Sequence, residues 1–201
     1  VINGLRTIST ETIEDYQKNY WDPRYPIRIL GVGTLKEQKN FSLLIKAFGS
    51  LSTEIRDISQ LVILGDGPLK ENLLNEIKDS HLDNQICLKG NILDTFPWYA
   101  SARLFVLSSS WEGFGNVLVE ALECGTPIVS TDCESGPSEI LDNGKFGTLV
   151  PIKDVQSLQK AIENAVNSPF NSKILKMRAQ DFLIPKISLQ YLNYFTKGTN
   201  S

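Results

Sequence analysis

Apolar runs of strand length alternate along this chain with helical patterns, and that alternation narrows its fold more than any other feature. Ile27-Arg28-Ile29-Leu30-Gly31-Val32-Gly33 reads as a strand. After it, Leu44, Ala47, Phe48 and Leu51 recur at i, i+3, i+4 and i+7, the spacing of a helix with one buried stripe. Leu61-Val62-Ile63-Leu64 is a second apolar run, followed by Gly65-Asp66-Gly67-Pro68 and a helix over about 69–78. Further strands are expected at 86–88, 103–107, 127–130 and 147–150. The last leads into a helix on which Val155, Leu158, Ile162 and Ala165 share a face. Short apolar strands separated by helices predict an α/β fold, a Rossmann-like parallel sheet with helices on both faces. Ligands of such sheets sit outside the carboxyl ends of the strands. The informative residues are therefore expected in the loops at about 33–40, 65–68, 90–94, 108–117 and 131–138.

The 201 residues suffice for one packed core and are too few for two ordinary domains. A net charge of −3 speaks against a nucleic-acid binder, which needs a basic excess or a basic stripe. No window holds eighteen uninterrupted apolar residues, so no transmembrane segment is expected. The start, Val1 to Arg6, has neither a basic opening nor a long apolar stretch. No secretory signal is expected there, and the chain reads as cut from something longer. Residues 1–26, polar with scattered aromatics, read as a connecting segment, 27–184 as the α/β domain, and 185–201 as a terminal helix ending in a frayed tail. Cys87, Cys124 and Cys133 lack CxxC spacing, and the lone histidine, His81, has no nearby partners. The cysteines read as reduced, small apolar residues, and no metal site is expected.

The densest chemistry lies in Glu112-Gly113-Phe114-Gly115-Asn116-Val117-Leu118-Val119-Glu120. Two glycines directly after a strand let backbone approach a ligand. A helix starting near Asn116 points its first free N–H groups back at that spot. With the helix dipole, they make an anion site worth roughly 0.3–2 kcal/mol per favourable charge. Glu120 stands roughly 6 Å further along the axis at 1.5 Å per residue, and Glu112 precedes the helix. Ionised carboxylates offer only acceptors, which suits sugar and ribose hydroxyls.

Glu112 and Glu120 in an E-x7-E arrangement make this stretch resemble the donor site of GT-B glycosyltransferases of family 4 (glycosyl transferases group 1). That large family includes sucrose synthases and bacterial mannosyl- and N-acetylhexosaminyltransferases. Gly31-Val32-Gly33-Thr34-Leu35 with Lys39-Asn40-Phe41 looks like the family's glycine loop and lysine. Gly65-Asp66-Gly67-Pro68, Gly125-Thr126-Pro127-Ile128-Val129-Ser130-Thr131 and Gly136-Pro137-Ser138-Glu139-Ile140 match its other turns. The resemblance runs from about Ile29 to Phe195 and implies the C-terminal, donor-binding half of a retaining enzyme. It implies that Lys39 meets the donor diphosphate beside Gly33 and Thr34, that Glu120 takes the ribose hydroxyls, and that Glu112 takes those of the transferred sugar. Backbone N–H groups of Phe114, Gly115, Asn116, Val117 and Leu118 would hold phosphate and sugar, and Asn91 and Ile92 would meet the base. Glu112 and Lys39 are the candidate catalytic residues. The family usually has arginine where this chain has Thr34, which removes one bidentate phosphate contact.

The expected donor is a nucleoside-diphosphate sugar, UDP-linked, with neither metal nor other cofactor. The acceptor, a glycan or lipid-linked sugar, belongs to a missing N-terminal domain, so the fragment is expected to bind without transferring. A cytoplasmic setting follows from the resemblance, with any peripheral contact at the inner face of the plasma membrane made by the missing half. A non-catalytic nucleotide or sugar-phosphate binding module is the alternative. A dinucleotide fingerprint fails, because the third glycine position falls on Lys36 after Gly31-Val32-Gly33 and on Lys70 after Gly65-Asp66-Gly67. A glycosidase would also use two carboxylates but needs no anion site between them. A Ser-His-Asp triad would have to recruit His81, which reads as a surface residue.

Overall fold

The computed structural model describes residues 9–183. In chain order these form α1 (Thr10–Tyr20), β1 (Ile27–Val32), a 3-10 turn (Glu37–Lys39), α2 (Phe41–Gly49), α3 (Thr53–Arg56) and β2 (Ser59–Leu64). There follow α4 (Lys70–Asp79), β3 (Ile86–Gly90), α5 (Phe96–Ser101), β4 (Leu104–Leu107) and α6 (Asn116–Cys124). The remainder is β5 (Ile128–Thr131), α7 (Pro137–Ile140), β6 (Thr148–Val150), α8 (Val155–Asn167) and α9 (Ser172–Ala179), closed by a short 3-10 turn (Gln180–Phe182). The strands make one sheet in the order β3-β2-β1-β4-β5-β6, and every neighbouring pair is parallel.

The strand side chains alternate between two cores, although the runs themselves are continuously apolar. Ile29, Leu61, Ile63, Leu104, Val106 and Val129 pack with Leu44, Phe48, Leu73, Leu158 and Ile162 on the face covered by α2, α4 and α8. Leu30, Val62, Leu64, Phe105, Leu107 and Ile128 pack with Tyr99, Leu118, Leu122 and Leu175 on the face of α5, α6 and α9. Burial on both faces is why the sequence shows no polar alternation in these strands. Each fully buried Leu, Ile or Phe contributes roughly 1.5–3 kcal/mol.

This topology chooses where a ligand can bind. From β1 the chain runs through α2 on one face to β2, and from β4 through α6 on the other face to β5. β1 and β4 are neighbours, so their outgoing loops diverge and leave a crevice at the carboxyl edge, the usual ligand position in such sheets.

The stretch before β1 is more ordered than its composition suggests. Ser9 caps α1, its hydroxyl accepting from the Thr12 N–H at 3.2 Å. Trp21 is buried, and its indole N–H donates to Ser101 Oγ at 2.9 Å. Tyr20 and Trp21 both meet Trp98 edge-on, with ring centroids 5.3 and 5.4 Å apart. The helix escapes a periodicity reading because its inner side is made of half-buried residues, Ile13, Tyr16 and Gln17, among charges. α5, with six residues, and α9, with eight, are too short to show a helical period. The expected helix from 185 lies outside the described residues.

Replacing Trp21 with Ala should cost about 3–5 kcal/mol, as for a large buried aromatic, measured by urea unfolding. A mere connecting segment would lose less than about 0.5 kcal/mol.

Candidate active site

The crevice is built by three loops tied together. After β1, the Lys39 carbonyl accepts from the buried Ser108 hydroxyl at 2.8 Å, and the Gln38 carbonyl accepts from the Ser110 N–H at 2.8 Å. The Gln38 side-chain amide donates to the Trp111 carbonyl at 2.9 Å. After β5, the Thr131 hydroxyl donates to the Ser109 carbonyl at 2.6 Å. The loops that follow β1, β4 and β5 therefore hold a common shape.

At their meeting point Lys39 Nζ lies 2.5 Å from Glu112 Oε1, across 73 residues of sequence. The two side chains are only 13% and 6% exposed, so the pair is almost dry. The Ser109 hydroxyl donates to the same oxygen, Oε1, at 2.6 Å. Both bonds converge on Oε1. Gly33 makes room for the lysine. A side chain there would meet the Lys39 methylenes at 3.0–3.2 Å, and its φ of 155° already disfavours other residues.

α6 begins at the same place. Its N-cap, Gly115, is left-handed at φ 86°, which glycine adopts without penalty. The Leu118 N–H turns back to the Gly115 carbonyl at 2.9 Å, while Asn116 and Val117 stand at the start of the helix, where N–H groups have no partner within it. The Leu118 side chain is fully buried and its N–H is already engaged by Gly115, unlike the expectation that it meets the ligand. Phe114 sits edge-on to Phe182, centroids 5.8 Å apart, which anchors the glycine loop to the end of the described chain.

Glu120 is half-buried on the fifth residue of α6. Burial raises its carboxyl above the ordinary value, opposed by the nearby Tyr99 hydroxyl and by the Lys39 ammonium, while Glu123 adds to the rise. Tyr99 is fully buried, and its hydroxyl makes no hydrogen bond of regular geometry. Its phenol is pushed well above its usual range, first by burial and then by the Glu120 charge. Lys39 thus contacts Glu112 directly and is close enough to Glu120 for its charge to act on that carboxyl.

The other expected residues spread along the same edge. Thr34 is exposed beside Gly33. Lys36 is exposed and lines a hollow with Asn72 and Glu76 at α4. Asn91 is exposed and Ile92 half-buried at the end of β3, two strands from β1 and so roughly 10 Å across the sheet at 4.7–4.9 Å per strand. A hollow of about 540 Å³ along Lys46, Asn72, Glu76 and Ser80 follows α4 to its C-terminal end, away from the strand ends that carry the charges. Sequence reading misses Ser109, Gln38, Thr131 and Tyr99. The run Ser108-Ser109-Ser110 directly after an apolar strand was the available signal, since buried hydroxyls need partners. Among the described residues no group of three or more His, Cys, Asp or Glu is placed to share a metal ion, and no helix is long and apolar enough to cross a membrane.

A family model described as Glycosyl transferases group 1 matches residues 13–181. The chain is 35% identical over 171 residues to the N-acetylgalactosamine-N,N'-diacetylbacillosaminyl-diphospho-undecaprenol 4-alpha-N-acetylgalactosaminyltransferase of Campylobacter jejuni, covering 83% of this chain and 46% of that protein. It is 33% identical over 160 residues to the lipopolysaccharide core biosynthesis glycosyltransferase LpsE of Rhizobium meliloti, covering 80% and 45%. It therefore spans just under half the length of these curated relatives. Among solved structures, Anabaena HepE in complex with UDP superposes with a TM-score of 0.80 at 20% identity, covering 94% of this chain and 54% of that one. The chain belongs to the glycosyl transferases group 1 family, and its parallel sheet has the fold of the GT-B glycosyltransferases.

Proposed function

We propose that the β1–β4 crevice binds a nucleoside-diphosphate sugar, UDP-linked, and that the protein to which this chain belongs transfers the sugar with retention of configuration. The observation that carries this reading is the dry Lys39–Glu112 pair at the N-terminus of α6, with Glu120 behind it. The diphosphate would compete with Glu112 for the Lys39 ammonium and take the Asn116 and Val117 N–H groups. Those donors would then stabilise the negative charge that grows on the departing diphosphate. Glu112 would orient the sugar hydroxyls, a positioning role. Glu120 would hold the ribose, and the base would reach toward Asn91 and Ile92 at the end of β3. The UDP in the HepE structure and the N-acetylgalactosaminyl transfer in the name of the Campylobacter relative support the donor class. The acceptor would come from a further, N-terminal domain. Alone, this chain would bind the donor without transferring it.

Calorimetry with UDP and with NAD tests the reading. UDP should bind and NAD should not; NAD binding without UDP binding would end it.

Glu120 makes the affinity depend on pH. Burial holds its proton in the native state to higher pH than in the unfolded chain, whose value is near 4.5. Stability from that proton is full below the unfolded value and is lost as pH rises through the raised native one. Donor affinity runs the other way, because ribose hydroxyls need the ionised acceptor. Glu120→Gln should weaken UDP binding about tenfold, the scale of a charge-assisted hydrogen bond. It should also flatten both pH profiles, read by calorimetry and urea unfolding. An unchanged UDP affinity would remove Glu120 from the site.

A further inference from the structure

The donor reading leaves Trp111 without a task. Trp21 and Trp98 are each 4% exposed, whereas Trp111 shows 53% of its surface directly beside Glu112 in sequence. A lone exposed aromatic is ordinary. This one, however, forms a wall of a groove of about 460 Å³, with Glu37, Asn40, Ser110, Ile152 and Lys153 as the rest. That volume falls among small-ligand clefts, roughly 300–1,000 Å³.

The groove and the charged pair are made from the same two turns. The 3-10 turn Glu37–Lys39 sends Lys39 to the pair and Glu37 to the groove. The loop after β4 sends Glu112 to the pair and Ser110 and Trp111 to the groove. Two bonds at Gln38, its carbonyl accepting from the Ser110 N–H and its side-chain amide donating to the Trp111 carbonyl, lock these turns together, so the two sites keep a constant relation.

The lining is chemically mixed in a particular way. Its apolar part is the exposed Trp111 indole and half-exposed Ile152, and its polar part is an acceptor in Glu37, donors in Lys153, and groups that do both in Asn40 and Ser110. A pyranose ring has the matching surface, with a C–H face for the indole and a rim of hydroxyls for the polar groups. A protein-docking face would be more uniformly apolar at its centre. We propose that this groove is a saccharide subsite that stacks a pyranose of the acceptor on Trp111. The acceptor part of this assignment rests on the Lys39–Glu112 pair being the donor site. It means that this chain, and not only a further domain, holds part of the acceptor.

Acrylamide quenching of the 201-residue chain reads chiefly Trp111, because the other two tryptophans are buried. The probes are methyl α- and β-pyranosides of glucose, galactose, N-acetylglucosamine and N-acetylgalactosamine, with UDP present. At least one should lower the quenching constant by about half, since a stacked ring covers one of two indole faces. For that sugar, saturation-transfer NMR should show binding weakened about tenfold in Trp111→Ala and largely kept in Trp111→Phe, the scale of a lost aromatic contact. UDP affinity by calorimetry should be unchanged in both variants, which also shows that they fold. No protection by any pyranoside while UDP binds would overturn the subsite and leave the donor reading standing. Protection in a chain that does not bind UDP would overturn the acceptor assignment together with the donor reading.

Discussion

A nearly dry ion pair between Lys39 and Glu112 is the contact on which this carboxyl edge depends. Taking two charges out of water is costly, and the pair persists only where geometry and further hydrogen bonds offset that cost. Here the Ser109 hydroxyl supplies such a bond, and the Thr131 hydroxyl holds the Ser109 backbone in turn. The pair links the loop after β1 to the loop after β4, adding charge to a junction that the bonds of Ser108, Ser110 and Gln38 also hold. Removing either partner would leave the other buried and uncompensated, which costs far more than the intact pair contributes.

The sheet makes that contact possible. Because all six strands run the same way, every outgoing loop emerges at one edge, and the neighbours β1 and β4 send their crossovers to opposite faces. Lys39 and Glu112 meet because β1 and β4 are neighbours, not because of any local preference. The N-terminus of α6 opens into the same crevice, led there by a left-handed Gly115. Positive charge, helix dipole and carboxylates thus converge without any of them leaving a regular element by more than a few residues.

Much of this is legible in the chain itself. The parallel α/β class follows from apolar runs alternating with helical stripes, and β1, β2 and β4 fall within a residue or two of where those runs lie. The E-x7-E spacing and the glycines at 113 and 115 point to the loop in which Glu112 meets Lys39. Less legible are α1 and α5, which meet in an aromatic cluster around Trp98, because α1 scatters half-buried residues among charges and α5 is only six residues long, so neither shows a clean period. Ser109 and Tyr99 escape notice for a related reason. A hydroxyl becomes informative only once its burial and its neighbours are known.

Local periodicity and turn chemistry are properties of consecutive residues, so the order of strands and helices and the identity of the glycine loop could be read along the chain. Strand neighbours in space, the 2.5 Å approach of two residues 73 positions apart and the drying of their charges could not. Those depend on long-range pairing and on exclusion of water, and both arise only when the two faces of the sheet are covered at once.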